Sequence, residues 1–273
     1  MNTLQQLCET LELPLEVSQR ILLWEQECDF VKLADSMKLL FSKDTWDMGR
    51  EKLKELLRED PDGIKMLTCM LKCGLTTLQH YRMLGIDDAI FIDTMKCFRR
   101  FVLEHKESYG TYAFDRDWWT PRQLSALLFR IGELEYELNE FDRKSCISLH
   151  IPSDSRLETS LLQESYQKAR GLINQVFPSY ACAPIRCSSW LLSPALSHVL
   201  PSGSRILRFQ KAFVIDSFDK ENPAFMTWVY KRPDLPLSQL PENTTLQRNL
   251  KAYLAQGGKI GEAAGYLSEP AFL

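Results

Sequence analysis

Hydrophobic and polar positions alternate along this chain with two different periods, and the switch between them is sharpest from residue 128 to residue 231. Over 128–138, and most clearly in Leu134-Glu135-Tyr136-Glu137-Leu138, apolar and polar residues alternate at every position. That is the period of a half-buried strand. Residues 146–151 alternate in the same way until Pro152-Ser153-Asp154 stops them. Over 156–176 the period lengthens, with Leu157, Leu161, Leu162, Tyr166, Ala169 and Ile173 on one stripe, which predicts a long amphipathic helix. Strands are expected again over 185–192, 212–218 and 225–231, with a short helix over 205–210 and a polar turn at 219–223. A strand that runs into a helix N-terminus presents unpaired N–H groups and the positive end of the helix dipole, an arrangement suited to anions.

Before residue 106 the helical period dominates. Pro14 opens a helix carrying Val17, Ile21 and Leu22, and residues 30–41 continue as a second. Asp44 or Thr45 caps a third, reaching about residue 58 with Leu53, Leu56 and Leu57 inward. Pro61-Asp62-Gly63 and Gly85 are breaks, so helices are predicted over 64–79 and 87–105. An aromatic, charged loop, Asp115-Arg116-Asp117-Trp118-Trp119, precedes a short helix capped by Thr120, and the domain boundary is placed there. The expected organisation is a helical domain over 1–120 and an α+β domain over 121–273. Arg232-Pro233-Asp234-Leu235-Pro236 reads as a connector to a last helix capped by Asn243 or Thr244 and closed by Gly257-Gly258. Residues 257–265 are glycine-rich but follow no strand, so they read as a flexible or strand-forming tail rather than a phosphate loop.

The 273 residues are 45% hydrophobic and 25% charged, with a net charge of -3. This suffices for sizeable cores and gives no electrostatic footprint for nucleic acid. No apolar run reaches membrane-spanning length. The N-terminus lacks a secretory pattern, so a cytoplasmic location is expected. Eight scattered cysteines fit reduced, buried thiols. Cys69 and Cys73 share a helix face with no further ligands nearby, so no metal site is expected.

The strand and helix order over 128–231 resembles the second half of the GNAT N-acyltransferase fold. The chain also resembles a bacterial acyltransferase-like family that joins an N-acyltransferase N-terminal helical domain to a GNAT-like C-terminal domain. The residues carrying this likeness are Gly85-Ile86-Asp87-Asp88, Phe114-Asp115-Arg116-Asp117-Trp118-Trp119, Arg130-Ile131-Gly132-Glu133-Leu134-Glu135-Tyr136 and Leu149-His150-Ile151-Pro152-Ser153-Asp154. The resemblance implies a mixed sheet with flanking helices, acyl-CoA or acetyl-CoA as cosubstrate, and a small-molecule amine as acceptor. It also implies that the pyrophosphate meets the start of the helix after residue 155, where Ser153, Ser155 and Arg156 offer donors. The chain departs from the family pattern in having no glycine between Ile151 and Arg156. It also has Phe209 where many members carry a tyrosine general acid.

His150, at the end of a predicted central strand, suits a general base, the plainer alternative being a histidine hydrogen-bonded in the sheet. Glu133 and Glu135, with Glu137, suit a base or an amine-binding surface, against a solvated strand face. Trp190 would wall the acyl gap and Ser193 would bind the thioester carbonyl or the leaving thiol, against a core tryptophan and a capping serine. The expected function is acyl transfer from acyl-CoA to an amine. A non-catalytic ligand-binding or scaffold protein is the rival reading. A carbohydrate-active enzyme using paired acids is the third, and it needs two carboxylates facing each other across a cleft.

Overall fold

The computed structural model describes residues 1–231 and 235–268. Residues 232–234 of the proline-rich connector and the last five positions of the expected second domain lie outside them. The chain divides into two compact units, Met1–Arg130 and Ile131–Leu273.

The first unit is helical. It contains α1 (Leu4–Thr10), α2 (Leu15–Glu27), α3 (Phe30–Lys38), α4 (Trp46–Leu57), α5 (Ile64–Met83), α6 (Asp88–Met95), α7 (Cys97–Tyr109) and α8 (Pro121–Leu124). The central α5 buries residues all round, including Leu67, Met70, Leu71 and Leu78, as a helix enclosed by others must. The helix expected over 87–105 is two helices, parted at Lys96. Leu56 is 50% exposed rather than inward. Asp117 accepts hydrogen bonds from Nε and Nη2 of Arg50 at 3.1 and 2.9 Å, and Arg116 pairs with Asp115. The charges of the aromatic loop are thus used inside this unit.

The second unit carries most of a six-stranded sheet ordered β1-β2-β3-β4-β6-β5. The strands are β1 (Leu128–Ile131), β2 (Leu134–Phe141), β3 (Lys144–His150), β4 (Ile185–Ser189), β5 (Phe213–Asp219) and β6 (Glu262–Leu267). Helices α9 (Thr159–Val176), α10 (Arg205–Gln210) and α11 (Thr245–Ala255) complete it. The single strand expected over 128–138 is two strands, because Gly132 takes a positive φ of 63° and turns the chain. The strand expected over 225–231 is a π-helical turn, Met226–Tyr230. Apolar residues fill both alternating sets there, so period 2 could not discriminate. Asn222 Oδ1 accepts from the Ala224 N–H at 2.9 Å just before the turn. The last strand is β6, from the glycine-rich tail, and Thr244 forms a full capping box on α11.

Leu162, Tyr166, Ala169 and Ile173 of α9 are buried. The hydroxyls of Ser165 and Tyr136 lie 2.9 Å apart, tying α9 to β2. Burial of each such leucine or isoleucine is worth about 1.5–3 kcal/mol. A second core gathers Trp190, Leu196, Val199, Phe225, Tyr230, Leu240, Leu250 and Ile260. Among the described residues no helix is long and apolar enough to cross a membrane, and no cluster of three His, Cys, Asp or Glu could hold a metal. All eight cysteines are free thiols.

Candidate active site

Strands β3 and β4 run parallel but pair only at Ile147–Ile185 and Ser148–Arg186. Each continues along its other neighbour. β3 pairs with β2 as far as Glu135–His150, and β4 pairs with β6 as far as Ser189–Ala263. The two strands therefore part toward their C-terminal ends. The V-shaped opening is bounded by His150 on one side and Ser188 and Ser189 on the other. A parallel sheet binds ligands beyond the C-terminal ends of its strands for the same reason: backbone groups released from pairing point into the space.

The β2–β3 register sets the chemistry of each face. Glu135 lies opposite His150 and Glu137 opposite Ser148, so these four side chains share one face. Tyr136, Leu138, Ile147 and Leu149 share the other, with the Tyr136 hydroxyl bonded to Ser165 of α9. Nε2 of His150 is 2.9 Å from Oε2 of Glu137. Glu135 and Glu137 are 3% and 4% exposed, so the expected solvated strand face is a buried polar one. A carboxylate on one imidazole nitrogen fixes the tautomer and orientation of the ring. The sequence offered Glu137 as one of three acids. Its pairing with His150 is diagonal across two strands and emerges only with the register.

Glu133 lies in the β1–β2 turn rather than on the strand. Its Oε2 accepts from the backbone N–H of Arg156 at 2.6 Å, and its Oε1 accepts from Nε and Nη2 of Arg156 at 3.2 and 3.0 Å. A carboxylate so engaged is a binding partner, not a base. Two carboxylates on one strand and a third held by arginine are not acids facing each other across a cleft, which removes the geometric basis of the carbohydrate reading.

The helix expected to begin near Arg156 begins at Thr159, with Glu158 as N-cap and no side-chain capping bond. Ser153 is exposed, while the Ser155 hydroxyl oxygen is buried without a hydrogen-bond partner. The unpaired N–H groups and the dipole end thus sit at Thr159 and Ser160, whose turn contains no acid. Arg205 of α10 reaches the same place. Its Nη1 donates to the Arg156 carbonyl at 3.2 Å and lies 3.4 Å from Oε1 of Glu158. Thr159, Ser160 and Arg205 were not singled out from sequence, because the helix start was read three residues early and α10 is remote along the chain.

Trp190 is 9% exposed and belongs to the second core, at the first position after β4. Ser193 is fully buried, donates to the Ile260 carbonyl and accepts from the Ala195 N–H at 3.2 Å. It therefore caps the 3-10 turn 194–198 and ties it to the segment before β6. Phe209 is buried beside Phe213 with ring centroids 4.9 Å apart. Burial pushes the thiol of Cys187 far up.

Residues 128–267 match the GNAT-like C-terminal domain and residues 2–126 the N-acyltransferase N-terminal domain. No curated protein matches the chain. Among solved structures, an acyltransferase in complex with decanoyl-CoA and teicoplanin superposes with a TM-score of 0.80 at 22% identity, over 96% of this chain and 86% of that one. A mutant acyltransferase in complex with octanoyl-CoA gives 0.81 at 21% identity, over the same shares. An acyltransferase in complex with CoA and 10C-teicoplanin gives 0.81 at 21%, again over 96% and 86%. At this identity the likeness establishes a common fold. With both halves matched, the chain belongs to the acyltransferase family that joins an N-acyltransferase N-terminal domain to a GNAT-like C-terminal domain.

Proposed function

We propose that this protein transfers an acyl group from acyl-CoA to an amine. The observation that carries the reading is the parting of β3 and β4 after Ser148 and Arg186, with the His150–Glu137 pair on one lip and the bare N-terminus of α9 next in the chain. The thioester lies in the opening, where freed backbone N–H groups polarise its carbonyl. The pyrophosphate meets Thr159 and Ser160 at the helix start, with Arg205 and Arg156 beside it. Structures of this fold hold decanoyl-CoA and octanoyl-CoA, which supports acyl-CoA as the donor.

His150, oriented by Glu137, takes the proton of the incoming amine. The amine lone pair attacks the carbonyl carbon and the C–S bond breaks. The thiolate leaves and takes the proton back from His150, giving an amide and free CoA. Solved relatives hold teicoplanin as well as the thioester, which supports an acceptor larger than a simple amine. Two measurements test the reading. Calorimetry with CoA and decanoyl-CoA should show binding, and thiol release from decanoyl-CoA should rise when an amine acceptor is added. Binding without amine-dependent thiol release would favour a ligand-binding protein, and no binding of either compound would overturn the reading.

A further inference from the structure

One residue in the β3–α9 loop is in the wrong conformation for its side chain. Leu157 has a φ of 52°, in the left-handed region that costs a side-chain-bearing residue and suits glycine. It is also buried, at 8% exposure. Such a conformation persists only where the surroundings over-determine it. The residue before it is gripped at three points. The Glu133 carboxylate takes the Arg156 backbone N–H at 2.6 Å and its guanidinium at 3.0 and 3.2 Å. On the far side, Arg205 donates to the Arg156 carbonyl at 3.2 Å and meets Glu158 at 3.4 Å. Both peptide groups of Arg156 are therefore engaged from outside the loop, and Leu157 lies between the two anchors.

We infer that Glu133 is a positioning residue: a clamp that holds the Arg156–Leu157 backbone in a glycine-like turn and so aims the first N–H groups of α9 into the ligand space. Glu133 is 8% exposed and sits in the β1–β2 turn, anchored against α9. A Cβ at its neighbour Gly132 would come within 3.3 Å of Cβ of Ser165. The hairpin turn thus rests on α9 at Ser165 while its next side chain fixes the segment that starts the same helix. A glycine would reach this conformation unaided. Here the restraint comes from a carboxylate distant in sequence. The clamp itself rests on the loop geometry alone, and only its ligand rests on the acyl-CoA reading.

The relation makes a specific prediction, because a clamp and a permissive residue should substitute for each other. Glu133→Ala should weaken decanoyl-CoA binding by about tenfold, the loss of one charge-assisted hydrogen-bond set. Most of the kinetic loss should fall on KM for the thioester rather than on kcat. Adding Leu157→Gly should restore binding to within about threefold of wild type, because the turn no longer needs to be held. Glu133→Gln, which keeps the volume and one acceptor, covers the case in which the alanine variant does not fold, and should lie between wild type and alanine. Amide exchange at Arg156, whose N–H the Glu133 carboxylate takes, gives a readout that needs no ligand. It should quicken in Glu133→Ala relative to the sheet, and it should remain slow in wild type whether or not CoA binds. Unchanged exchange, or a double variant no better than Glu133→Ala, would overturn the clamp. Quickened exchange in Glu133→Ala, together with no CoA binding by wild type, would leave the clamp standing and remove the acyl-CoA reading.

Discussion

Nε2 of His150 and Oε2 of Glu137 are 2.9 Å apart across the β2–β3 pair, although neither is the other's direct cross-strand partner. Glu135 faces His150 in the register and Glu137 faces Ser148, so the histidine leans along the strand to reach the more distant acid. His150 is the last residue of β3, at the end where the sheet parts from β4.

If this pair takes the proton of the amine, the two residues should fail differently. His150→Ala should lower kcat by roughly 10²–10⁴, the usual worth of a general base. Donor affinity, measured by calorimetry, should fall far less. Glu137→Gln keeps a hydrogen-bonding partner for the ring but loses the carboxylate that orients it, so its rate should lie between the two. Comparable activity for His150→Ala and wild type would assign the proton transfer to another group.

The α9 start should act through charge. Arg205→Ala removes a guanidinium that is 55% exposed and already paired with the Glu158 carboxylate. Its effect on CoA affinity should be about three- to tenfold at low salt and shrink toward nothing near 1 M salt, where the Debye length is about 3 Å. A salt-independent loss would mean that Arg205 packs rather than attracts. Dephospho-CoA titrated in parallel separates the pyrophosphate from the 3′-phosphate: an unchanged ratio places Arg205 at the pyrophosphate.

Ser193 was a candidate for binding the thioester, and its surroundings give it another task. The hydroxyl is fully buried, with its hydrogen committed to the Ile260 carbonyl and its oxygen to the Ala195 N–H. Ser193→Ala should cost about 1–2 kcal/mol of stability, from a lost cap and an unsatisfied carbonyl, seen as a lower midpoint in urea. A specific drop in kcat without that loss of stability would return Ser193 to the chemistry.

Much of the frame was legible because burial writes a period into the chain. The α9 stripe, the alternation of β3 and the glycine-rich breaks of the helical unit all reflect one-sided packing. The misses share a cause. Residues 225–231 are apolar on every side, so neither period wins, and the true closing strand, β6, is built from alanine and glycine with little β propensity. Gly265 is small by necessity, since a Cβ there would lie 2.4 Å from the Val214 carbonyl oxygen. At the site, sequence supplied the residue types but not the partners. Glu133 to Arg156, Glu137 to His150 and Arg205 to Arg156 each join separate elements, and no periodicity encodes them.

Arg186 and Asp216 give a pH-dependent test of the sheet that needs no substrate. Asp216 is the extra residue of a bulge between Ile215 and Ser217 in β5, which turns its carboxylate toward Arg186 on β4. Nη2 of Arg186 donates to Oδ1 at 2.9 Å and Nη1 donates to the second oxygen. The guanidinium also lies 4.5 Å from the Phe141 ring centroid and 4.8 Å from that of Tyr266, so it is held for the carboxylate. Hydrogen bonding to Arg186, with its charge, depresses the Asp216 carboxyl below the usual carboxylate range. A depressed folded-state value means that the unfolded chain binds the proton more readily. The contribution is therefore complete above the ordinary aspartate value of about 3.9 and is lost as pH falls through the lower folded value. Asp216 is 37% exposed, so solvent screening limits the pair to about 0.3–1 kcal/mol at pH 7. Asp216→Asn should lower the thermal midpoint by a roughly constant 1–4 °C from pH 5 to 8. Below about pH 4 the gap should close, because wild type protonates Asp216 while asparagine does not titrate. A gap that persists unchanged to pH 2.5 would show that the substitution acts through packing of the bulge and not through the charge.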